Sequence, residues 1–302
     1  MKKFLLSLLG VGLGLSLLGV VLIAVGGFRP IRELEPYVSL RSHRSATVTS
    51  YDTPRTVSRQ VDAAALKSVT LSLANADVQI ETGSGSTATL RYDETYAGEW
   101  EYDFSGSALT LRSHRYGKSW LTDWLMNNLS DSAEGSDAVK VTLSLPAGCA
   151  PALSVNDVNG SCTADQTPLQ SLQVQSVNTQ IRLSGIAAAD SIAVHATNGD
   201  ARLTGCSAPS LNADAMVNAG CTVTGSDFGD IRASGQVNNT VVIEGLKNSG
   251  DYSLSYHTVN GSITYNGVSY SGNGVVSGGS AGSGKKSIDY QGVNSSLKVS
   301  FS

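Results

Sequence analysis

One residue type recurs at a spacing that could do chemistry. Asparagine stands at Asn159, Asn178, Asn198, Asn218, Asn238 and Asn260, at intervals of 19, 20, 20, 20 and 22 residues. A primary amide donates and accepts at once. Copies stacked at sheet spacing would form a ladder of side-chain hydrogen bonds along one edge, as in other stacked β-structures. Asparagine also tolerates positive φ and bonds its own backbone, which suits a bend.

The other groups with chemical potential do not assemble into a site. The stretch from Gly279 to Ser287 resembles a phosphate-binding loop, but Lys286 stands where the signature needs Ser or Thr after Gly-Lys. It also leads into a strand rather than a helix, so no nucleotide is expected. Cys162 and Cys221 share one inward position but lie three repeats apart, roughly 14 Å by strand spacing. A disulfide needs Cα atoms within about 7 Å, so these cysteines read as small apolar filler, with Cys149 and Cys206 near turns. No Cys-x-x-Cys and no histidine cluster occurs, so no metal is expected. His195 and His257 each stand three residues before their Asn, on the outward face. The acidic residues Asp157, Asp200, Asp214 and Glu244 scatter over different repeat positions. They offer no paired acid and base on adjacent repeats. The chain is therefore expected to be no enzyme and to need no cofactor.

The elements that carry the asparagines are read from the apolar pattern around them. Three and five residues after each Asn sit small or apolar residues, such as Ile181 and Leu183, or Val241 and Ile243. An alternating pair precedes it, as in Leu172/Val174 and Ile192/Val194. Such alternation puts each pair on one face of a strand. Glycine recurs seven residues after Asn, at Gly185, Gly205, Gly225, Gly245 and Gly267. Each repeat thus reads as strand, Asn bend, strand and Gly turn. A fixed period near 20 residues marks a repeat architecture. The same half-unit recurs in one orientation, which favours parallel coils over Asn-Gly hairpins. The expected fold is all-β: a single-stack β-solenoid, like a parallel β-helix, of about 20-residue coils with a shared core. Leu211/Ala213 and Ile231/Ala233 sit one position off register, which predicts a bulge there.

The rest of the chain places this array. With 302 residues and net charge −4, it has length for one large β-domain and no basic surplus that would suggest nucleic acid. Residues 1–28 contain the one long apolar run, opening with Lys2 and Lys3. It is long enough for one N-terminal transmembrane helix, with a signal peptide as the alternative. An uncleaved anchor makes this a single-pass cell-membrane protein with its C-terminal domain extracytoplasmic. Residues 29–60, with Arg29, Arg32, Arg41, Arg44, Arg55 and Arg59, read as a polar basic tether. The solenoid domain then spans 61–302, its first copy bending at Asn75.

Strands follow from Thr87 to Tyr92, Glu99 to Phe104, Ala108 to Arg112 and Ala138 to Leu145. The insertion 114–135 interrupts them, with Trp120, Leu121, Trp124, Leu125 and Leu129 spaced like one face of a short helix. It reads either as a cap over an open end or as a partner-contact patch centred on Trp120, Trp124 and Leu125. Ser271 to Ser287 reads as a mobile Gly/Ser-rich linker. Ile288, Tyr290, Asn294, Leu297 and Val299 then make a last coil.

These residues resemble a known family. Ala76-Asp77-Val78-Gln79-Ile80, Val141-Thr142-Leu143-Ser144-Leu145-Pro146, Ala196-Thr197-Asn198-Gly199-Asp200-Ala201-Arg202-Leu203 and Asn294-Ser295-Ser296-Leu297-Lys298-Val299 are similar to motifs of the bacterial putative-adhesin domain of unknown function. The resemblance covers 61–302. Family members carry Ser-Gly-Asp at the bend, where this chain has Asn-Thr, Asn-Ala or Asn-Asn, and the Trp-bearing insertion departs from the pattern. The resemblance implies a β-solenoid at the bacterial cell envelope without catalytic residues. It implies a binding or adhesion module whose partner is a protein or an envelope glycan. The alternative is an accessory or scaffold of envelope-stress signalling with a membrane partner.

Overall fold

The computed structural model describes residues 50–113, 139–246, 252–277 and 286–302. These residues are all β. The apolar run 1–28 and the insertion with Trp120, Trp124 and Leu125 lie outside them. Among the described residues no helix is long and apolar enough to cross a membrane.

The strands begin with β1 (Ser50–Asp62), β2 (Ser68–Ala74), β3 (Ala76–Gly83), β4 (Thr87–Tyr96), β5 (Trp100–Ser105), β6 (Ala108–Ser113) and β7 (Val139–Pro146). The repeat occupies β8 (Ala152–Asp165), β9 (Pro168–Ser184), β10 (Ala187–Thr197), β11 (Asp200–Thr204), β12 (Ser207–Val217), β13 (Gly220–Thr224), β14 (Asp227–Val237) and β15 (Thr240–Leu246). The C-terminal part adds β16 (Tyr252–Val259), β17 (Ser262–Tyr265), β18 (Val268–Tyr270), β19 (Asn273–Ser277), β20 (Lys286–Val293) and β21 (Ser296–Phe301).

The alternating pattern dictates the pairing. Leu153, Leu172, Ile192, Leu211 and Ile231 are all buried and follow one another across parallel strands in register. Cys162, Ile181, Ala201, Cys221 and Val241 do the same after the bend. A one-residue slip would turn every one of these side chains outward. Removing a Leu or Ile side chain from water stabilises by about 1.5–3 kcal/mol, so the register is held along the whole array. Leu211 pairs with Ile192 and Ala213 with Val194, and the extra residue falls beyond them, where register shifts between Ala213 and Val217.

The bend residues share one conformation. Asn75, Asn159, Asn178, Asn198, Asn218, Asn238, Asn260 and Asn294 all have φ between 47° and 62°. That region is costly for most L-residues and least so for Asn and Gly. At Gly199 the need is different: a Cβ there would collide with the carbonyl of Thr179 in the neighbouring unit. The Asn-Gly pair is therefore a corner pressed against the next unit, not a hairpin turn.

Chain order and spatial order part at both ends. The Asn75 unit (β2 and β3) pairs with β8 on one side and with β6 and β7 on the other. Strands β6 and β7 thus form a further, outer unit. At the opposite end the last coil is not terminal. β20 pairs in parallel with β14 and β16, and β21 pairs with β15 and β17. The Asn294 unit therefore lies between the Asn238 and Asn260 units, which corrects the sequential stacking expected from sequence. Antiparallel strands close the outer edges: β5 on β6, β4 on β7 with β1 beyond it, β19 on β16 and β18 on β17.

Two further boundaries differ from expectation. Strand β1 (Ser50–Asp62) falls largely inside the stretch 29–60 read as tether, because Val57 and Val61 are buried against β4 while Arg55 and Arg59 face out. Arginines on an edge strand also discourage pairing with another chain. Within the Gly/Ser-rich stretch, Asn273–Ser277 is strand β19, paired with β16.

Candidate binding surface at the asparagine corner

The corner is built from three columns of residues. The asparagines form the middle one. Asn159 Nδ2 donates to Asn75 Oδ1 at 3.0 Å, and Asn178 Nδ2 to Asn159 Oδ1 at 2.8 Å. Asn218 donates to Asn198 at 3.3 Å and Asn238 to Asn218 at 3.2 Å. Asn260 shares the conformation and lines the far end of the same corner. The backbone runs a second ladder beneath. The N–H groups of Asn75, Asn198, Asn218 and Asn294 donate to the carbonyls of Val158, Val217, Val237 and Val259 at 2.7–3.0 Å.

The second column lies outside, one residue before each asparagine. Val158, Val177, Val217, Val237, Val259 and Val293 occupy it, with Ala74 and Thr197 in the two remaining units. Val158, Val237, Val293 and Val259 are 40%, 40%, 43% and 47% exposed. A single exposed valine needs no explanation, but a row along one edge is an apolar ridge. The signal was present in the sequence as the recurrent dipeptide Val-Asn, at an odd offset that points outward.

The third column faces inward and is unexpectedly polar. Thr179, Asn239 and Ser295 follow their asparagines, and Asp157, Ser176 and Thr258 stand two before theirs; all are buried. Most have partners. The Ala219 N–H donates to Asn239 Oδ1 at 3.1 Å, and the Tyr290 hydroxyl donates to Ser295 Oγ at 2.7 Å. Asp157 differs: it is 2% exposed, and neither carboxylate oxygen has a hydrogen-bond partner. Burial pushes its carboxyl up to about 7, the charge of Asp77 adds to this, and the nearby Val158 and Ala76 amides oppose it. Gly160 leaves the space, since a Cβ there would strike both the Ala76 carbonyl and the Asp157 carboxylate. The even offset of Asp157 from Asn159 marked it as inward in the sequence.

Two shallow grooves run along the corner. One of about 520 Å³ is lined by Asn238, Thr240, Asn260, Ser262, Asn294 and Ser296, among others. The other, about 360 Å³, is lined by Asn178, Thr179, Gln180, Asn198, Asp200 and Asn218 with Gly199 between. The first exists only because the Asn294 unit is interposed between its neighbours. Its position is held by Lys298 Nζ to Glu244 at 2.9 Å, Lys286 Nζ to Asp227 at 2.6 Å, and the Tyr252 hydroxyl, which reaches the Phe228 carbonyl at 2.6 Å.

The remaining candidates fall elsewhere. All four cysteines are free and buried, and burial pushes the thiols of Cys162 and Cys221 up to about 12, so both are unreactive at neutral pH. His195 is half-buried, its Nδ1 3.2 Å from the Asp214 carbonyl of the next unit; His257 is exposed. Among the described residues no group of three or more His, Cys, Asp or Glu gathers as a metal set would.

No family model matches the chain, and no curated protein matches it. Among solved structures it is similar to a putative adhesin from Bacteroides fragilis, with TM-score 0.40 and 11% identity over 82% of this chain and 97% of that one. It is also similar to a putative cell adhesion protein from Clostridium sporogenes, with TM-score 0.35 and 12% identity over 82% and 99%. A third is a putative lipid binding protein from Parabacteroides distasonis, with TM-score 0.27 and 11% identity over 83% and 98%.

Proposed function

We propose that the chain is a non-enzymatic, membrane-anchored binding or adhesion module of a bacterial cell envelope, built as a single-stack β-solenoid. In this reading residues 1–28 anchor it and the β-domain stands outside the membrane. One observation carries the binding role: the corner offers a row of neutral amides, beside valines exposed at the Asn159 unit and at the three adjacent Asn238, Asn294 and Asn260 units. An apolar ridge held next to unused polar groups is the composition of a contact surface rather than of a merely solvated edge. Trp120, Trp124 and Leu125 are a second proposed contact.

The test is retention of the full chain on isolated envelope glycan and on whole envelopes. Saturable retention supports the reading. Crosslinking that captures one integral membrane protein in stoichiometric yield, with no retention on glycan, overturns it in favour of a signalling accessory.

A further inference from the structure

We propose that the asparagine corner binds a neutral, linear, hydroxyl-rich polysaccharide laid along the array, its chain running from unit to unit past Asn178, Asn198, Asn218, Asn238, Asn294 and Asn260. This deepens the binding-module reading and rests on it.

Charge is the first argument. The larger groove is lined by Asn, Thr, Ser and Gly with no ionisable group. The smaller contains one carboxylate, Asp200, whose Oδ1 already accepts from the Gly220 N–H at 3.0 Å. At the smaller groove the Arg182 guanidinium donates to Gln180 Oε1 at 2.7 Å, while the larger groove has no cation among its lining residues for a uronate, a phosphate or an anionic lipid headgroup. Main-chain chemistry is the second. An extended peptide is held by unpaired backbone groups at a sheet edge. Here the backbone amides of Asn198, Asn218 and Asn294 are spent on valine carbonyls of the neighbouring unit. What the corner offers is side-chain amide and hydroxyl.

The amides suit a sugar chain. A primary amide has two N–H donors and an oxygen with two lone pairs. The ladder uses one donor and one lone pair of a central residue such as Asn218. One donor and one acceptor remain, which complements a pair of neighbouring sugar hydroxyls. The valine ridge supplies the other half, an apolar lip for the C–H face of the ring. Units repeat at about 4.8 Å, so the ligand sees a periodic row. The grooves are open rather than enclosing, which suits a polymer and not a small molecule.

The experiment measures binding of the full chain to cellohexaose and to the hexamer of β-1,4-linked N-acetylglucosamine. Hexagalacturonate is the charged comparator, and the corresponding neutral trimers test length. Two variants isolate the surface. Asn198→Gly/Asn218→Gly/Asn238→Gly keeps a residue that accepts positive φ and removes the amides. Val237→Thr/Val293→Thr places at two units what Thr197 already is at another. Thermal midpoints show that each folds, and if the glycine variant does not, the threonine pair carries the test.

A neutral hexamer should bind about ten-fold or more tighter than its trimer, and the glycine variant should lose about ten-fold, equivalent to 1.4 kcal/mol. The threonine pair should lose roughly three-fold, from lost apolar contact. Equal binding by wild type and both variants, or preference for hexagalacturonate, overturns the proposal. Envelope glycan retained equally by wild type and variants removes the corner but leaves the binding-module reading standing. No retention by the wild type removes both.

Discussion

The Asn178, Asn198 and Asn218 units are each paired with the units that precede and follow them in the chain. At the two ends the chain instead reaches outward and then returns to fill an inner place. Strands β6 and β7 lie outside the earlier Asn75 unit, and the Asn260 unit lies outside the later Asn294 unit. The contrast has a physical cause. An internal unit finds a parallel neighbour on both sides, while an outermost one leaves a row of unpaired N–H and C=O groups. Antiparallel strands cover that row. At the first end Trp100, Tyr102 and Arg59 tie these strands together. Trp100 Nε1 donates to the Asp93 carbonyl at 2.9 Å, and the Arg59 guanidinium stands 5.2 Å over the Tyr102 ring. The middle is held by repetition, and the ends by particular side chains.

Deletions should separate the regions most strongly. Removing 286–302 takes away Ile288, Tyr290, Leu297 and Val299, all buried, each worth about 1.5–3 kcal/mol. That total is comparable with the whole stability of an ordinary domain. Urea unfolding should then show early loss of the part containing 252–277. Excising one full period from the middle, 199–218, should leave a single cooperative transition at a lower midpoint.

Single core changes sharpen the same contrast. Tyr290, in the interposed unit, fills the position held by Val194 in the middle. Tyr290→Ala should cost about 3–5 kcal/mol, and Val194→Ala about 1–3 kcal/mol, by chemical denaturation. Tyr290→Phe should cost about 1 kcal/mol, for the bond to Ser295.

Asp157 adds a pH dependence at the junction of the Asn75 and Asn159 units. Its carboxyl, ordinarily near 3.8, is raised to about 7 in the folded protein. The folded state therefore holds the proton more tightly than the unfolded one. Its contribution is fully present below about pH 4 and is lost as pH rises through about 7. The span corresponds to a few kcal/mol, at about 1.4 kcal/mol per unit. Ser176 occupies the equivalent position next door, so Asp157→Ser should fold. Denaturation midpoints should place it above the wild type at pH 8, with the gap closing toward pH 4. The smallest effect is expected from Lys298→Met. Its pair with Glu244 is substantially exposed, and such pairs contribute less than about 1 kcal/mol.

The middle of the molecule was legible in the sequence because each requirement leaves a mark. Positive φ calls for Asn, the shared core calls for alternation, and the displaced pairs Leu211/Ala213 and Ile231/Ala233 announced the irregularity after Ala213. The order of units at the ends left no mark. Ile288/Tyr290 and Leu254/Tyr256 alternate alike, and nothing in periodicity decides which pairs with Ile231/Ala233. Strand β1 was hidden because its two buried residues, Val57 and Val61, are separated by exposed Ser58, Arg59 and Gln60, and its arginines resemble a tether. The valines one place before the asparagines and Asp157 two places before Asn159 are legible by offset alone, but burial of a lone carboxylate leaves no mark in periodicity.

The interposition of the Asn294 unit builds the larger groove, so it is the point to test most directly. Thr240 and Ser296 are directly paired across β15 and β21, with hydroxyl oxygens 3.4 Å apart. Sequential stacking would instead pair Thr240 with Ser262. Two double variants of the full chain, Thr240→Cys/Ser296→Cys and Thr240→Cys/Ser262→Cys, are oxidised mildly, and the disulfides are read by mass spectrometry after digestion. The native cysteines are all buried and give little background. The interposed order expects the first bond to form rapidly, and the second not to form. In the second variant the residues are two strand spacings apart, about 10 Å, beyond the reach of a disulfide. Efficient formation of the 240–262 bond, without the 240–296 bond, would contradict the account.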